Sequence, residues 1–119
     1  MNKENYLRQK GVNIDAALNY TGDFETYDEI FNDFMLEIDN QVNSLTNVKD
    51  LNDMPNYAIQ VHALKSNVRC LGFDSYAAIA YNHEMASKGN DVDFVNDNFD
   101  SLMTEADRIV SLCKEYMGR

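Results

Sequence analysis

Residues that interrupt or cross-link a chain are scarce in this 119-residue sequence, which contains one proline, five glycines and two cysteines. An all-β domain needs a turn signal roughly every 8 to 12 residues, so the shortage of proline and glycine argues against that class and favours an all-α fold. Cys70 and Cys113 lie far apart and form no CxxC pair, so the sequence does not predict a zinc site. We interpret both cysteines as small apolar residues of the core.

Long apolar runs and an excess of positive charge are also lacking. No segment approaches the ~18 consecutive apolar residues of a membrane span, and the N-terminal residues contain no apolar stretch typical of a signal peptide. We therefore expect a cytoplasmic protein. Ten Lys and Arg residues stand against twenty Asp and Glu residues, a net charge of -10. Because this charge repels phosphate backbones and anionic lipid headgroups, we expect protein partners and neither nucleic acid nor membrane.

Apolar residues recur at steps of three and four along four segments, the spacing that places them on one face of an α-helix. The most regular stripe consists of Val95, Phe99, Leu102, Ala106, Ile109, Cys113 and Tyr116. We predict helices over about 13–20, 24–45, 55–71, 74–88 and from Asp91 or Asp93 to the end of this stripe. The polar residues Thr46 to Asp53 are interpreted as a connection.

These segments predict a single domain over residues 1–119, with its core over about 11–117. Four amphipathic helices joined by short loops pack best as an antiparallel four-helix bundle, in which each helix buries its stripe at the centre. The short additional N-terminal helix would cover one end. Since every strong stripe is used in this one core, we expect a monomer.

The sign of the charge changes along the chain. Between Gly11 and Val48 there are eight acids and no base, whereas 54–73 contains no acid and two bases, Lys65 and Arg69. His62, Lys65, Ser66 and Arg69 share one helix face, where we expect them to be exposed. On spacing alone, His62 is an ordinary solvated side chain. The competing interpretation is a nucleophilic imidazole with a cation one turn along, which would balance the charge of an incoming phosphoryl group.

A family resemblance favours the second interpretation. The segment His62-Ala63-Leu64-Lys65-Ser66-Asn67-Val68-Arg69-Cys70-Leu71-Gly72 resembles the signature helix of histidine phosphotransfer (HPt) domains, roughly His-x-Leu-Lys-small-small-small-x-x-Leu/Ile-Gly. The opening at 11–15 with Gly22-Asp23, and the ending at 84–91, resemble the family's entry and fourth helix. Ser66, Asn67 and Phe73 depart from the residues usual at their positions, and we expect Phe73 to bear on the shape of the docking rim.

The resemblance implies a phosphoprotein of two-component signal transduction. His62 would accept a phosphoryl group, at Nε2, from the aspartyl phosphate of a receiver domain and pass it to another receiver, with Lys65 beside the phosphoryl group. Ser66, Asn67 and Arg69 would dock or orient the receiver. The expected partners of this phosphorelay are response-regulator receiver domains, those of hybrid histidine kinases included. They would bring Mg²⁺, and we expect no metal or cofactor of the chain's own.

Other chemistry finds little support in the sequence. A Gly-rich phosphate loop and an ATP-binding segment are lacking, so we expect a phosphoryl carrier that does not phosphorylate itself. His83 lies on the side of its helix that should face the bundle, and we interpret it as packed there or at the rim. Ala80 stands where a Glu-x-x-His metal pair needs its acid, so no bundle-core metal site is expected at His83. Two alternatives remain open. One is a non-catalytic helical adaptor that binds a receiver or other signalling protein without carrying phosphate. The other is an acidic decoy that mimics nucleic acid through the helix at 24–45.

Overall fold

A computed structural model describes residues 3–118, which form α-helices and no strand. The helices are α1 (Lys3–Gln9), α2 (Ile14–Thr21), α3 (Phe24–Asp50), α4 (Met54–Cys70), α5 (Asp74–Lys88) and α6 (Val92–Met117). The prediction of an all-α fold is therefore confirmed. Within the described part of the chain, no helix combines the length and apolar character needed to cross a membrane.

Short polar side chains fix where four of these helices begin. Each capping side chain accepts a hydrogen bond from the backbone N–H three residues later, which satisfies a donor that has no partner inside the helix. The capping residues are Asn13, Asp23, Asp53 and Asp91. Pro55 occupies the first turn of α4, where its missing N–H leaves no bond unmade. Part of the acidic excess thus defines helix boundaries.

The predicted apolar stripes form the core. All seven stripe residues of α6 are buried, and so are Tyr57, Val61, Leu64 and Val68 of α4. Helix α4 packs against α3 and α5, and α6 packs against the same two helices. The hydroxyl group of Tyr27 in α3 donates a hydrogen bond of 2.8 Å to the carbonyl of Leu71, at the end of α4. The histidine-bearing helix is therefore held on two sides and at its C-terminal end.

Gly72 ends α4 and connects it to the start of α2. It has a φ of +84°, and a Cβ atom added there would lie 2.6 Å from the carbonyl oxygen of Asn13. The backbone N–H of Asn13 in turn donates a hydrogen bond of 2.9 Å to the carbonyl of Gly72. Both the positive φ and the close backbone approach require glycine at this position.

Several expectations were wrong. Helix α3 continues to Asp50, so most of the expected connection at 46–53 is helical; Val48, which is partly buried, extends the apolar stripe. Helix α1 was not predicted, because a seven-residue helix depends on packing more than on its own propensity. Phe73 is buried against Phe31 and Phe34, with ring centroids 6.1 and 6.2 Å away, and does not form a docking rim.

Candidate functional site

His62 lies on the side of α4 next to α5. Its side chain is 56% exposed, as the spacing predicted, and its Nδ1 lies 2.8 Å from Oε2 of Glu84. A carboxylate can only accept, so Nδ1 carries the proton and donates it to Glu84. Among the described residues, Nε2 has no hydrogen-bond partner. The neutral ring therefore keeps its lone pair on Nε2, the nitrogen left without a protein partner.

Glu84 is a buried carboxylate that accepts hydrogen bonds from three basic side chains. Its side chain is 2% exposed, with Lys65 Nζ at 2.6 Å from Oε1 and Lys88 Nζ at 2.9 Å from Oε2, the oxygen that also binds His62. Burial raises the pKa of Glu84, but the hydrogen bonds from Lys65, Lys88 and His62 outweigh it and lower the pKa to about 2. We call these four residues the Glu84 cluster. Its acid is ionised at neutral pH.

Lys65 is not on the exposed face where the spacing placed it. Its side chain is only 11% exposed, and its ammonium group lies between Glu84 and the ring of Tyr81, 5.5 Å from the ring centroid. Lys65, three residues after His62, faces α5. The buried carboxylate of Glu84 there supplies the negative charge that a buried ammonium group needs. The exposed cation of the cluster is Lys88, whose side chain is 57% exposed.

Ser66, Asn67 and Arg69 are exposed, but the structure does not bring them into the Glu84 cluster. Ser66 lies one turn beyond His62. Asn67 faces α3, where it lines a groove together with Cys70, which is half-buried rather than fully in the core as expected. Arg69 lies on the opposite side, beside Tyr81. The three residues thus occupy different parts of the surface around His62.

Exposed apolar side chains are present on both helices that form the candidate site. Ile59 lies one turn before His62 on α4. On α5, Tyr81 lies three residues before Glu84 and Met85 directly follows it; all three apolar residues are exposed. An imidazole bordered by apolar side chains and a small serine is a surface that another protein can cover closely.

His83 is buried, the first of the two placements expected for it, and its two nitrogens are both occupied. The hydroxyl of Tyr57 lies 2.9 Å from Nδ1, and Nε2 lies 3.2 Å from the backbone carbonyl of Asn98. Since the carbonyl can only accept, Nε2 carries the proton and Nδ1 accepts from Tyr57. Burial lowers the pKa of His83, more than the hydrogen bond to Asn98 raises it. His83 is a neutral residue of the core, with no lone pair free for chemistry.

The described residues contain no group of three or more His, Cys, Asp or Glu side chains arranged to hold a metal ion.

Sequence reasoning missed Glu84 and Lys88 as members of the site. The signal for Glu84 was present: it shares the buried face of α5 with Ala77, Ala80 and Ser87, and an acid on such a face needs a partner. The neighbouring α4 has two bases and no acid. Lys88 follows Glu84 by four residues, the spacing of a helical ion pair.

Comparison of the chain with protein-family models, with curated proteins and with solved structures found no match. The interpretation of the site therefore depends on its own geometry and on the resemblance of the α4 segment.

Proposed function

We propose that this protein is a histidine phosphotransfer protein, in which Nε2 of His62 accepts a phosphoryl group from a receiver aspartyl phosphate and passes it to another receiver. The observation that carries the proposal is the state of the imidazole: an exposed ring whose Nδ1–H is held by a buried, ionised carboxylate and whose Nε2 has no partner among the described residues. We further propose that α3, α4, α5 and α6 form an antiparallel four-helix bundle, which acts as a monomer.

The tautomer of His62 suits direct attack on phosphorus. The Nε2 lone pair forms the N–P bond while the bond from phosphorus to the aspartyl oxygen breaks, and the leaving group is the aspartate carboxylate. No proton has to move, because Nδ1 keeps its hydrogen throughout. The ring gains positive charge, and the Glu84 carboxylate, 2.8 Å from Nδ1, stabilises that charge in place. Return of the phosphoryl group to a second aspartate follows the same path in reverse.

The Glu84 cluster also supplies net positive charge for the phosphoryl group. With a neutral imidazole, the ammonium groups of Lys65 and Lys88 outweigh the single carboxylate by one charge. Lys65 is fixed against Glu84 and acts as a positioning residue and a constant positive field. Lys88 is exposed and can turn towards an incoming phosphoryl group. The resemblance assigns stabilisation of the phosphoryl charge to Lys65 alone. In this proposal Lys65 and Lys88 share that role.

The receiver would supply Mg²⁺ and an acidic pocket, so that metal-assisted charge neutralisation comes from the partner. The exposed apolar residues Ile59, Tyr81 and Met85, together with the small exposed Ser66 of α4, give the receiver a surface to cover. Arg69 adds positive charge at the edge. The chain as a whole has a net charge of -10, which favours approach of an acidic pocket at the site rather than elsewhere.

The test is His62→Gln, incubated with a phosphorylated receiver and Mg²⁺ beside the wild-type protein. We expect the wild type to gain an acid-labile, base-stable phosphoryl group and the variant to gain none, with equal helicity by circular dichroism. Retention of label in the variant would refute the assignment of His62. Failure of the folded wild type to gain label from several receivers would favour the adaptor.

A further inference from the structure

A groove runs along the other side of α4, between it and α3. One part, of about 270 Å³, is lined by apolar side chains, among them Tyr20, Ile30 and Leu71. The adjoining part, of about 290 Å³, lies further towards the start of α4. Glu37 and Gln41 line both parts, so the two form one continuous groove, which we call the α3–α4 groove.

The polar groups of this groove include a set of unsatisfied acceptors. Asp33 and Glu37 contribute carboxylates, and no Lys or Arg is among the described residues that line it. The side-chain carbonyl oxygens of Gln41 and Gln60 are buried and have no hydrogen-bond partner in the described part of the chain. The two carboxylates favour a positively charged ligand, and a turn of either glutamine side chain into the groove would let a ligand with several donors satisfy its oxygen, since a buried acceptor without a donor costs free energy.

A guanidinium group matches these requirements. It has five N–H donors, no acceptor and a permanent charge, and it is more weakly hydrated than an ammonium group. The aliphatic stem of an arginine would lie on the apolar lining, and its planar head can bind a carboxylate and a neighbouring carbonyl oxygen together. The ammonium group of lysine has only three donors, and its compact charge is more strongly hydrated than a guanidinium group.

We infer that the α3–α4 groove binds an arginine side chain, with an apolar neighbour, presented by a protein partner. The position of the groove supports a protein as the source: Ala63, next to His62, lines one part, and Asn67, just over one turn beyond it, lines the other. A protein that covers His62 therefore reaches the groove. That this partner is a receiver rests on the proposed function, whereas arginine binding does not.

The first experiment is a titration of the unphosphorylated full chain at low ionic strength, followed by NMR. The probes are acetyl-arginine amide, its citrulline counterpart of similar shape without charge, and acetyl-lysine amide. We expect shifts at the side-chain amides of Gln41 and Gln60 with the arginine probe, and about fivefold weaker binding of the citrulline probe, the upper range for one accessible ion pair. The lysine probe keeps the charge but should also bind more weakly than the arginine probe, because its ammonium group has fewer donors and is more strongly hydrated. Acetyl-leucyl-arginine amide should bind more tightly than acetyl-arginine amide.

Two matched variants test the location. Glu37→Gln removes the carboxylate shared by both parts of the groove, and Asp39→Asn removes an exposed acid of the same helix that does not line it. We expect the first to abolish the preference for arginine and the second to retain it. Equal weakening by both variants, equal binding of the citrulline probe, or no shift at Gln41 and Gln60 would overturn the inference.

These results are independent of phosphotransfer. If His62 gains no phosphoryl group but the arginine probe binds with this selectivity, the proposed function is refuted and the inference of arginine binding is supported. If His62 is phosphorylated and the arginine probe does not bind, only the inference of arginine binding is refuted.

Discussion

Replacing Glu84 by glutamine tests the centre of the candidate site. The substitution keeps the shape and one carbonyl acceptor but removes the negative charge from a carboxylate that is 2% exposed. Lys65, 11% exposed, would then keep its ammonium group without a counter-ion. Breaking a buried ion pair costs about 3 to 5 kcal/mol, and the retained acceptor should reduce this to about 2 to 3 kcal/mol. Urea unfolding at pH 7 measures the loss. Lys88→Gln, which removes the exposed partner, should cost less than about 1 kcal/mol.

The same variant should slow phosphotransfer beyond its effect on folding. A charge-assisted hydrogen bond contributes about 1.5 to 3 kcal/mol, and Glu84 contributes most when the His62 ring becomes charged. The transfer rate from a phosphorylated receiver should therefore fall roughly 10- to 100-fold. The transfer rate is measured without urea, at a temperature at which the variant is fully folded. An unchanged rate in a destabilised variant would make Glu84 purely structural, and unchanged stability would refute the account of the buried pair.

Acid unfolding measures the contribution of Glu84 to stability independently. Its pKa is lowered from 4.5 to about 2, so the folded state binds this proton less readily than the unfolded state does. The stability that Glu84 contributes is therefore fully present above its unfolded pKa of 4.5 and is lost as the pH falls towards 2. The Glu84→Gln variant should show a smaller decrease across this window.

Further variants extend the account to the rest of the fold. Lys65→Ala should cost about 2 kcal/mol or more in urea unfolding, since it leaves a buried carboxylate short of a partner; a loss below about 0.5 kcal/mol would contradict its burial. Gly72→Ala should cost about 3 kcal/mol, because the added Cβ meets the Asn13 carbonyl at 2.6 Å. Gly22→Ala, with similar φ but open space, should cost only about 1 to 2 kcal/mol, and equal losses would refute the clash. Since burial lowers the pKa of His83, its stabilising contribution is present above 6.5 and lost as the pH falls below that value. A flat urea midpoint between pH 7.5 and 5.5 would contradict this.

Periodic patterns within single helices predicted much of the fold. The stripes of α4 and α6 are buried at every predicted position within these helices, because one helix face is encoded by spacing alone. The caps Asp23, Asp53 and Asp91 also act through chemistry local to each helix start, since each accepts from the backbone N–H three residues later. Helix α1 and the last turns of α3 did not follow, since short or polar segments become helical when their few apolar residues meet a core built elsewhere.

The site was predictable only in part. The exposure of His62 and the burial of His83 follow from where each lies relative to its own stripe. The pairing of Lys65 with Glu84 depends on how α4 and α5 are rotated against each other, which no pattern within one helix records. Phosphotransfer itself stays a prediction, drawn from the resemblance and supported by the tautomer of His62.

The most direct measurement of the central claim is to locate the phosphoryl group on the 119-residue chain. The chain is incubated with a phosphorylated receiver and Mg²⁺, and the bonded nitrogen is identified by ¹⁵N and ³¹P NMR. We expect one phosphoryl group, on Nε2 of His62, with the Nδ1 proton still hydrogen-bonded to Glu84. A phosphoryl group on Nδ1 of His62, or on His83, would contradict it.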